Sequence, residues 1–281
     1  MYEYFLNNYS DNLIENSKEY LIYLIPGEKL FEVFEWYGKK RAEAFKIYNF
    51  KTLINDIEER DFYFKHMLIF DKKSMDLAGG QRFLFSKKGE TQNKKYSYLE
   101  EYHPRTYEKL KNESFCEIGR TFVMPNYQKK NLLKELIRGF VIIPESNNIN
   151  IGLGLISFNH KHLKKECINH FLKILELSKT NCLDLPLGKY LYEYREDCKT
   201  VSEKFNLDYN CIKLIEKELK NIDKNFFMPG VLKPYLKYCG LSFESYSIAK
   251  DYNGVIQLLF SGRSEFIDDN QRKFLKRYKF D

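Results

Sequence analysis

No run of about 18 or more apolar residues occurs in this chain, which excludes a membrane-spanning helix of ordinary length. Residues 1–12 hold no basic segment followed by an apolar one, so no secretory signal is expected. Cysteine is sparse and scattered. Cys116, Cys167, Cys182, Cys198, Cys211 and Cys239 form no C-x-x-C pair and stand at no zinc spacing with histidine. A disulfide framework and a zinc module are therefore not expected, and the thiols read as reduced ones in a cytosolic protein. The histidines show no ligand geometry either, since the pair His160 and His162 would diverge at a helix start. No cysteine or serine has the surroundings of a nucleophile. Internal repeats and low-complexity segments are absent, and so is a clean linker.

What remains is a chain of 281 residues with 43% hydrophobic content, enough for a sizeable core. Its net charge of +7 favours acidic partners: nucleic acid, an anionic membrane face or an acidic carrier protein. Neither a helix-turn-helix nor an RNA-recognition signature accompanies that charge, so nucleic acid is not the expected partner. Tyr and Phe are abundant alongside Lys, Asn and Ile, which is a compositional bias and no evidence of base stacking.

Residues 1–36 read as polar helical and linker material around an apolar cluster at 22–34. The spacing of Ala42, Phe45 and Ile47 predicts a helix over 41–48. Strands are predicted at 62–70 and 77–86, joined as a hairpin, and at 115–124, ended by Pro125. One continuous helix is expected over 96–112. A further amphipathic helix follows at 131–143, then a strand at 149–158 and a helix at 160–178. After a less regular stretch come helices at 209–222 and 229–238 and closing strands at 241–248 and 255–260. The pattern predicts one α/β domain, 1–281, with a core over about 40–178 and an insertion over about 180–228. A closing part spans about 229–262, and a basic tail 263–281.

Two of the strands carry arginine. Gly79-Gly80-Gln81-Arg82 and Glu117-Ile118-Gly119-Arg120-Thr121-Phe122-Val123 each put a guanidinium inside an otherwise buried run. An unpaired buried charge costs several kcal/mol, so such residues are paired or used. Glu117 and Arg120 flank a glycine, where a bulge or a close ligand approach is expected. Gly152 and Gly154 mark the later strand in the same way, as close backbone approach, a bulge or tight packing.

These stretches resemble the GNAT acyltransferase superfamily, and within it the acyl-carrier-protein-dependent branch. That branch includes acyl-homoserine-lactone synthases, N-acyl amino-acid synthases, and the hemolysin-like N-acyltransferases that begin ornithine- and glycine-lipid synthesis. Arg41-Ala42-Glu43-Ala44-Phe45 is similar to the R-x-x-x-F of the family's first helix, and Gly79 to Arg82 to its G-x-x-R strand. Glu117 to Val123 with Pro125-Asn126-Tyr127 is similar to its E-x-G-R-S-F-V-x-P-x-Y, and Pro229 to Leu236 to its P-x-L-L-K-x-Y-L. Thr121 stands where a serine is commoner. The glycine-rich loop that cradles CoA pyrophosphate is missing, because Gln128-Lys129-Lys130-Asn131-Leu132-Leu133 has no glycine.

The resemblance implies a mixed, mostly antiparallel sheet flanked by helices, with a helical insertion. It implies transfer of a long acyl chain, 3-hydroxylated in some members, from acyl carrier protein to an amino acid's α-amine. Ornithine is the favoured acceptor, then glycine, and the product would be an aminolipid. A free N-acyl amino acid or a homoserine lactone is the alternative product. No bound cofactor is implied; the donor is an acyl-carrier thioester in preference to acyl-CoA. Glu117, Arg120 and Arg82 are the expected catalytic residues. Arg41, Phe45, Phe122, Val123, Gly152 and Gly154 are expected at the substrate, and Lys129 and Lys130 at the carrier protein. The tail over 266–280 mixes apolar and basic residues. It suits either a helix docked on the domain or peripheral contact with an anionic inner-membrane face.

Overall fold

Eight strands form one sheet in the order β1-β2-β3-β4-β5-β6-β8-β7. The computed structural model describes residues 1–46, 54–90, 94–128, 132–178, 182–192, 211–250 and 252–276. In chain order the elements begin with α1 (Tyr2–Asn8), β1 (Leu13–Asn16), β2 (Tyr20–Pro26) and α2 (Phe34–Lys46). The hairpin β3 (Lys65–Asp71) and β4 (Asp76–Ser86) follows, then α3 (Tyr98–Tyr102), α4 (Pro104–Lys109) and β5 (Phe115–Val123). Next are α5 (Leu132–Ser146), β6 (Ile151–Phe158), α6 (Lys165–Leu177) and α7 (Ile212–Ile222). The chain closes with α8 (Leu232–Tyr238), β7 (Leu241–Ala249), β8 (Val255–Arg263) and α9 (Asp269–Lys276).

The sheet is mixed, mostly antiparallel and flanked by helices. Its one parallel pair is β5 with β6, joined by the crossover helix α5. Two expectations need correction. Residues 1–36 are not helix and linker alone, since β1 and β2 pair there and carry the sheet outward from β3. The expected helix over 96–112 is two helices. His103 leaves the helical region at φ −136°, ψ 52°, because the ring of Pro104 disfavours a helical residue before it.

The faces of the sheet follow from strand alternation. Cys116, Ile118, Ile156 and Phe158 face α5 and α6 in the main core, with Leu136, Phe140 and Phe171. Leu153 and Leu259 face the other way, into a smaller core with Leu99, Tyr107 and Leu185. On that side the strap 182–192 lies along β7. Leu183 donates its N–H to Glu244 Oε1 at 2.8 Å, Gly188 to the Tyr246 carbonyl at 3.1 Å, and Ile248 to the Tyr190 carbonyl at 2.7 Å. The middle of the expected insertion, 193–210, lies outside the described residues, as do Cys198 and the end of the tail.

Candidate active site

The parallel ladder between β5 and β6 stops early. Its pairs run from Phe115 with Ile151 to Ile118 with Gly154, and beyond them the two strands have no shared register. The opposite edge of β5 is irregular at the same level. Gly80 pairs with Phe122 and Arg82 with Gly119, so Arg120 and Thr121 together oppose Gln81. That extra residue is a β-bulge, and Arg120 takes φ +50° within it, a value uncommon outside glycine. A Cβ placed on Gly119 would meet nothing within 4 Å. The sheet therefore has a gap at its centre, bordered by backbone N–H and C=O groups that the β5–β6 ladder does not use.

A cavity of about 450 Å³ passes through this gap. Its two sides differ in chemistry. On the α5 and α8 side it is bounded by Ile118, Phe122, Phe140, Ile156, Tyr235 and Phe260. On the α3 side stand Tyr98, Glu117, Arg120, Ser157, Tyr252 and Gln257. A molecule threaded through it meets an apolar wall on one face of the sheet and a polar wall on the other.

Glu117 does not pair with Arg120. Its carboxylate closes the start of α3 instead. Oε1 accepts the Tyr98 N–H at 3.0 Å, and Oε2 accepts the Ser97 hydroxyl and the Leu99 N–H at 3.5 Å. Burial pushes its pKa above the usual carboxylate value, against the opposing pull of those donors. A carboxylate with a raised pKa is the better proton acceptor.

The arginines find their partners in the segment before β3. Arg41 and Arg82 are both fully buried. Arg41 donates Nε to Asp56 at 2.6 Å and grips both Asp61 oxygens at 2.8 Å each. Arg82 donates Nη1 to Asp61 at 2.5 Å and Nη2 to Glu58 at 2.9 Å. Arg120 donates Nη2 to the same Glu58 oxygen at 3.1 Å and to the Tyr98 hydroxyl at 3.1 Å, and Asp56 lies 3.5 Å away. Burial alone would raise the two shared carboxyls, but the arginines overcome it. Glu58 falls to about 2 and Asp61 well below its usual value. Both stay ionised at neutral pH and are weak bases there. The guanidinium of Arg120 also lies 5.2 to 5.9 Å from the ring centres of Tyr252, Phe45 and Tyr98. Among the described residues its buried Nε has no partner, and neither has the buried Oε1 of Gln257.

Of the residues singled out in the sequence, Phe45, Glu117, Arg120, Phe122, Val123 and Gly154 line the cavity. Arg41 and Arg82 do not; they lie behind it and fix Asp61 and Glu58, which in turn hold Arg120. Gly152 lines a separate small cavity. Lys129 and Lys130 lie outside the described residues. The sequence reading missed Asp56, Glu58, Asp61, Tyr98, Tyr252 and Gln257. A signal did exist for the three acids: the buried arginines needed counter-charges, and Asp56 to Asp61 is the acid-rich turn before the strand pair.

Residues 32–138 match the family model described as an acetyltransferase (GNAT) domain, the class that the motifs within them resemble. No curated protein matches it. Among solved structures it is similar to BjaI, a CoA-dependent acyl-homoserine lactone synthase determined with SAM and isopentyl-CoA. Identity there is 10%, coverage 92% of this chain and 90% of that one, and the TM-score 0.46. A second CoA-dependent acyl-homoserine lactone synthase, MesI, gives 11% identity over 91% and 93% of the chains, with a TM-score of 0.42. FeeM, an N-acyl amino acid synthase from uncultured soil microbes, gives 10% identity over 56% and 77%, with a TM-score of 0.33.

Proposed function

We propose that this protein is an N-acyltransferase that moves a long acyl chain from a thioester to the α-amine of an amino acid. The observation that carries the reading is the two-sided cavity through the β5–β6 gap. An acyl chain would lie along the apolar wall, and the acceptor would enter against the polar one. The carbonyl would then sit in the gap, where backbone N–H groups on the β6-facing edge of β5 beyond Ile118 can meet the oxyanion.

The acceptor side suits a zwitterion. Arg120 Nε offers an unpaired donor for a carboxylate, and Gln257 Oε1 an unpaired acceptor for an amine. Glu117, with its raised pKa, takes the amine's proton, directly or through water. The C–N bond forms, and the C–S bond breaks to release the donor as a thiol that carries the proton away. Arg82 and Arg41 act at one remove as positioning residues for Arg120. Acyl carrier protein is the proposed donor, supported by the glycine-free stretch 128–133 and its lysines. Ornithine, then glycine, is the proposed acceptor on the motif resemblance, with an aminolipid as product. We keep the whole chain as one catalytic domain in the cytoplasm, with the tail as its contact to the inner membrane face.

The test is purified protein incubated with acyl-carrier thioesters or acyl-CoAs and a panel of amino acids, with products read by mass spectrometry. An N-acyl amino acid whose formation falls at least tenfold in Glu117→Gln is the expected result. No amide from any donor and acceptor, with folded protein present, overturns the proposal.

A second variant separates chemistry from folding. Gly119→Val should fill the gap, where a Cβ meets nothing, and β-branched residues suit a strand. Its stability should stay within about 0.5 kcal/mol of the parent, while transfer drops at least tenfold. Unchanged transfer would place the reaction elsewhere.

A further inference from the structure

A small cavity of about 20 Å³ lies beside the large one, and the two share a single wall residue, Phe140. The side chain stands on α5, and three glycines make room for its ring. A Cβ on Gly262 would meet Phe140 Cε1 at 3.1 Å, and one on Gly152 would meet the same atom at 3.4 Å. A Cβ on Gly154 would meet Cε2 at 3.6 Å. Gly152 and Gly262 are register partners on β6 and β8, and Gly154 follows two residues along the same face. Cε1 and Cε2 are opposite edges of the ring. Gly152 and Gly262 line the small cavity, whereas Gly154 lines the large one. The ring therefore straddles the boundary, and Tyr235 packs edge-on against it with centroids 5.1 Å apart.

We infer that Phe140 sets the length of acyl chain this protein accepts, by closing the apolar end of the large cavity against the small one. The inference rests on the acyl-cavity reading above and adds its specificity-determining residue. An aromatic ring over three glycines is a stop that a single substitution can move in either direction. Trimming the ring joins the cavities and lengthens the apolar path. Beyond it, Glu145, Asn150 and Arg263 border the small cavity and end the apolar run. Adding a Cβ at Gly262 pushes on the ring edge that faces the small cavity and drives it toward the large one. Each further methylene that finds an apolar site should raise affinity about fourfold.

The experiment is isothermal calorimetry of the full chain with saturated fatty acids of increasing length. The parent should bind with a length optimum. Phe140→Ala should move that optimum about two or more methylenes longer, and Phe140→Leu by less. Gly262→Ala should shorten it. Should Phe140→Ala fail to fold, Phe140→Leu and Gly262→Ala still have to shift in opposite directions. A parent optimum that all variants leave in place overturns the gate and leaves the acyl cavity standing. A parent that binds no chain of any length overturns both.

Discussion

Asp61→Ala is expected to destabilise the fold by about 3–5 kcal/mol. Asp61 is fully buried and is shared by two fully buried arginines, Arg41 and Arg82. Removing it leaves their guanidiniums in the interior with Asp56 and Glu58 as the remaining counter-charges. Desolvation of an uncompensated charge outweighs the loss of any one hydrogen bond. The same change at a surface pair should do almost nothing. Lys39 and Glu35, 2.6 Å apart on α2, are 57% and 77% exposed, so Lys39→Ala should cost well under about 1 kcal/mol. Urea denaturation of the two variants beside the parent makes the comparison. A loss at Asp61 below about 1 kcal/mol would mean that water reaches the cluster and the burial argument fails. The Asp61 variant should also lose transfer, because Arg82 and Glu58 fix the place of Arg120.

Much of the sheet was legible in the sequence because strands and amphipathic helices announce themselves locally. The hairpin of β3 and β4, the arginine strand β5, the crossover α5 and the closing strands all fall near where the residue pattern puts them. What the pattern missed has physical causes. In β2, Tyr20 to Ile25 is an unbroken apolar run, which periodicity cannot assign to strand or helix. The insertion of β8 between β6 and β7 is a long-range choice with no local signature.

The site divides in the same way. Arg120 and Glu117 stood out as charges in buried strands, and both line the cavity. Their partners could not be read from spacing. Arg120 meets Glu58 from 62 residues away, and Glu117 meets Ser97 from 20. Glu117 and Arg120 are three apart in sequence, yet they do not pair with each other. The bulge turns the strand between them, so Glu117 faces α3 while Arg120 faces the turn before β3. Of the readings open for the glycines at 152 and 154, the contacts correspond to tight packing, against the ring of Phe140.

Stability should fall steeply as pH drops from 6.5 toward 4. Two histidines are buried in neutral form. His66 shares its ring nitrogens with the Asp61 carbonyl at 2.8 Å and the Tyr37 hydroxyl at 3.3 Å. His103 has Ser245 Oγ 3.2 Å from Nδ1, and its Nε2 has no partner among the described residues. Burial lowers both from 6.5 to about 4, and at His66 the neighbouring Asp61 only partly opposes it. A base whose folded pKa lies below its unfolded one is protonated first in the unfolded chain. The unfolded state then binds more protons, so stability is complete above pH 6.5 and declines until the folded pKa is reached. Each histidine withdraws roughly 3 kcal/mol across that window, a large share of the roughly 5–15 kcal/mol of a typical domain. Glu117, raised by burial, works in the opposite sense. Glu58, lowered from 4.5 to about 2, and Asp61, well below 3.8, withdraw their share as pH falls from those unfolded values toward the folded ones, so Glu58 begins to add to the loss near the end of the histidine window. Urea midpoints measured from neutral pH down to about 5 therefore report mainly the histidines, offset in part by Glu117. His103→Gln should flatten part of the slope, since glutamine does not titrate. A parent whose midpoint is level through this interval would show that the two imidazoles gain protons without unfolding, and the buried neutral pair would have to be abandoned.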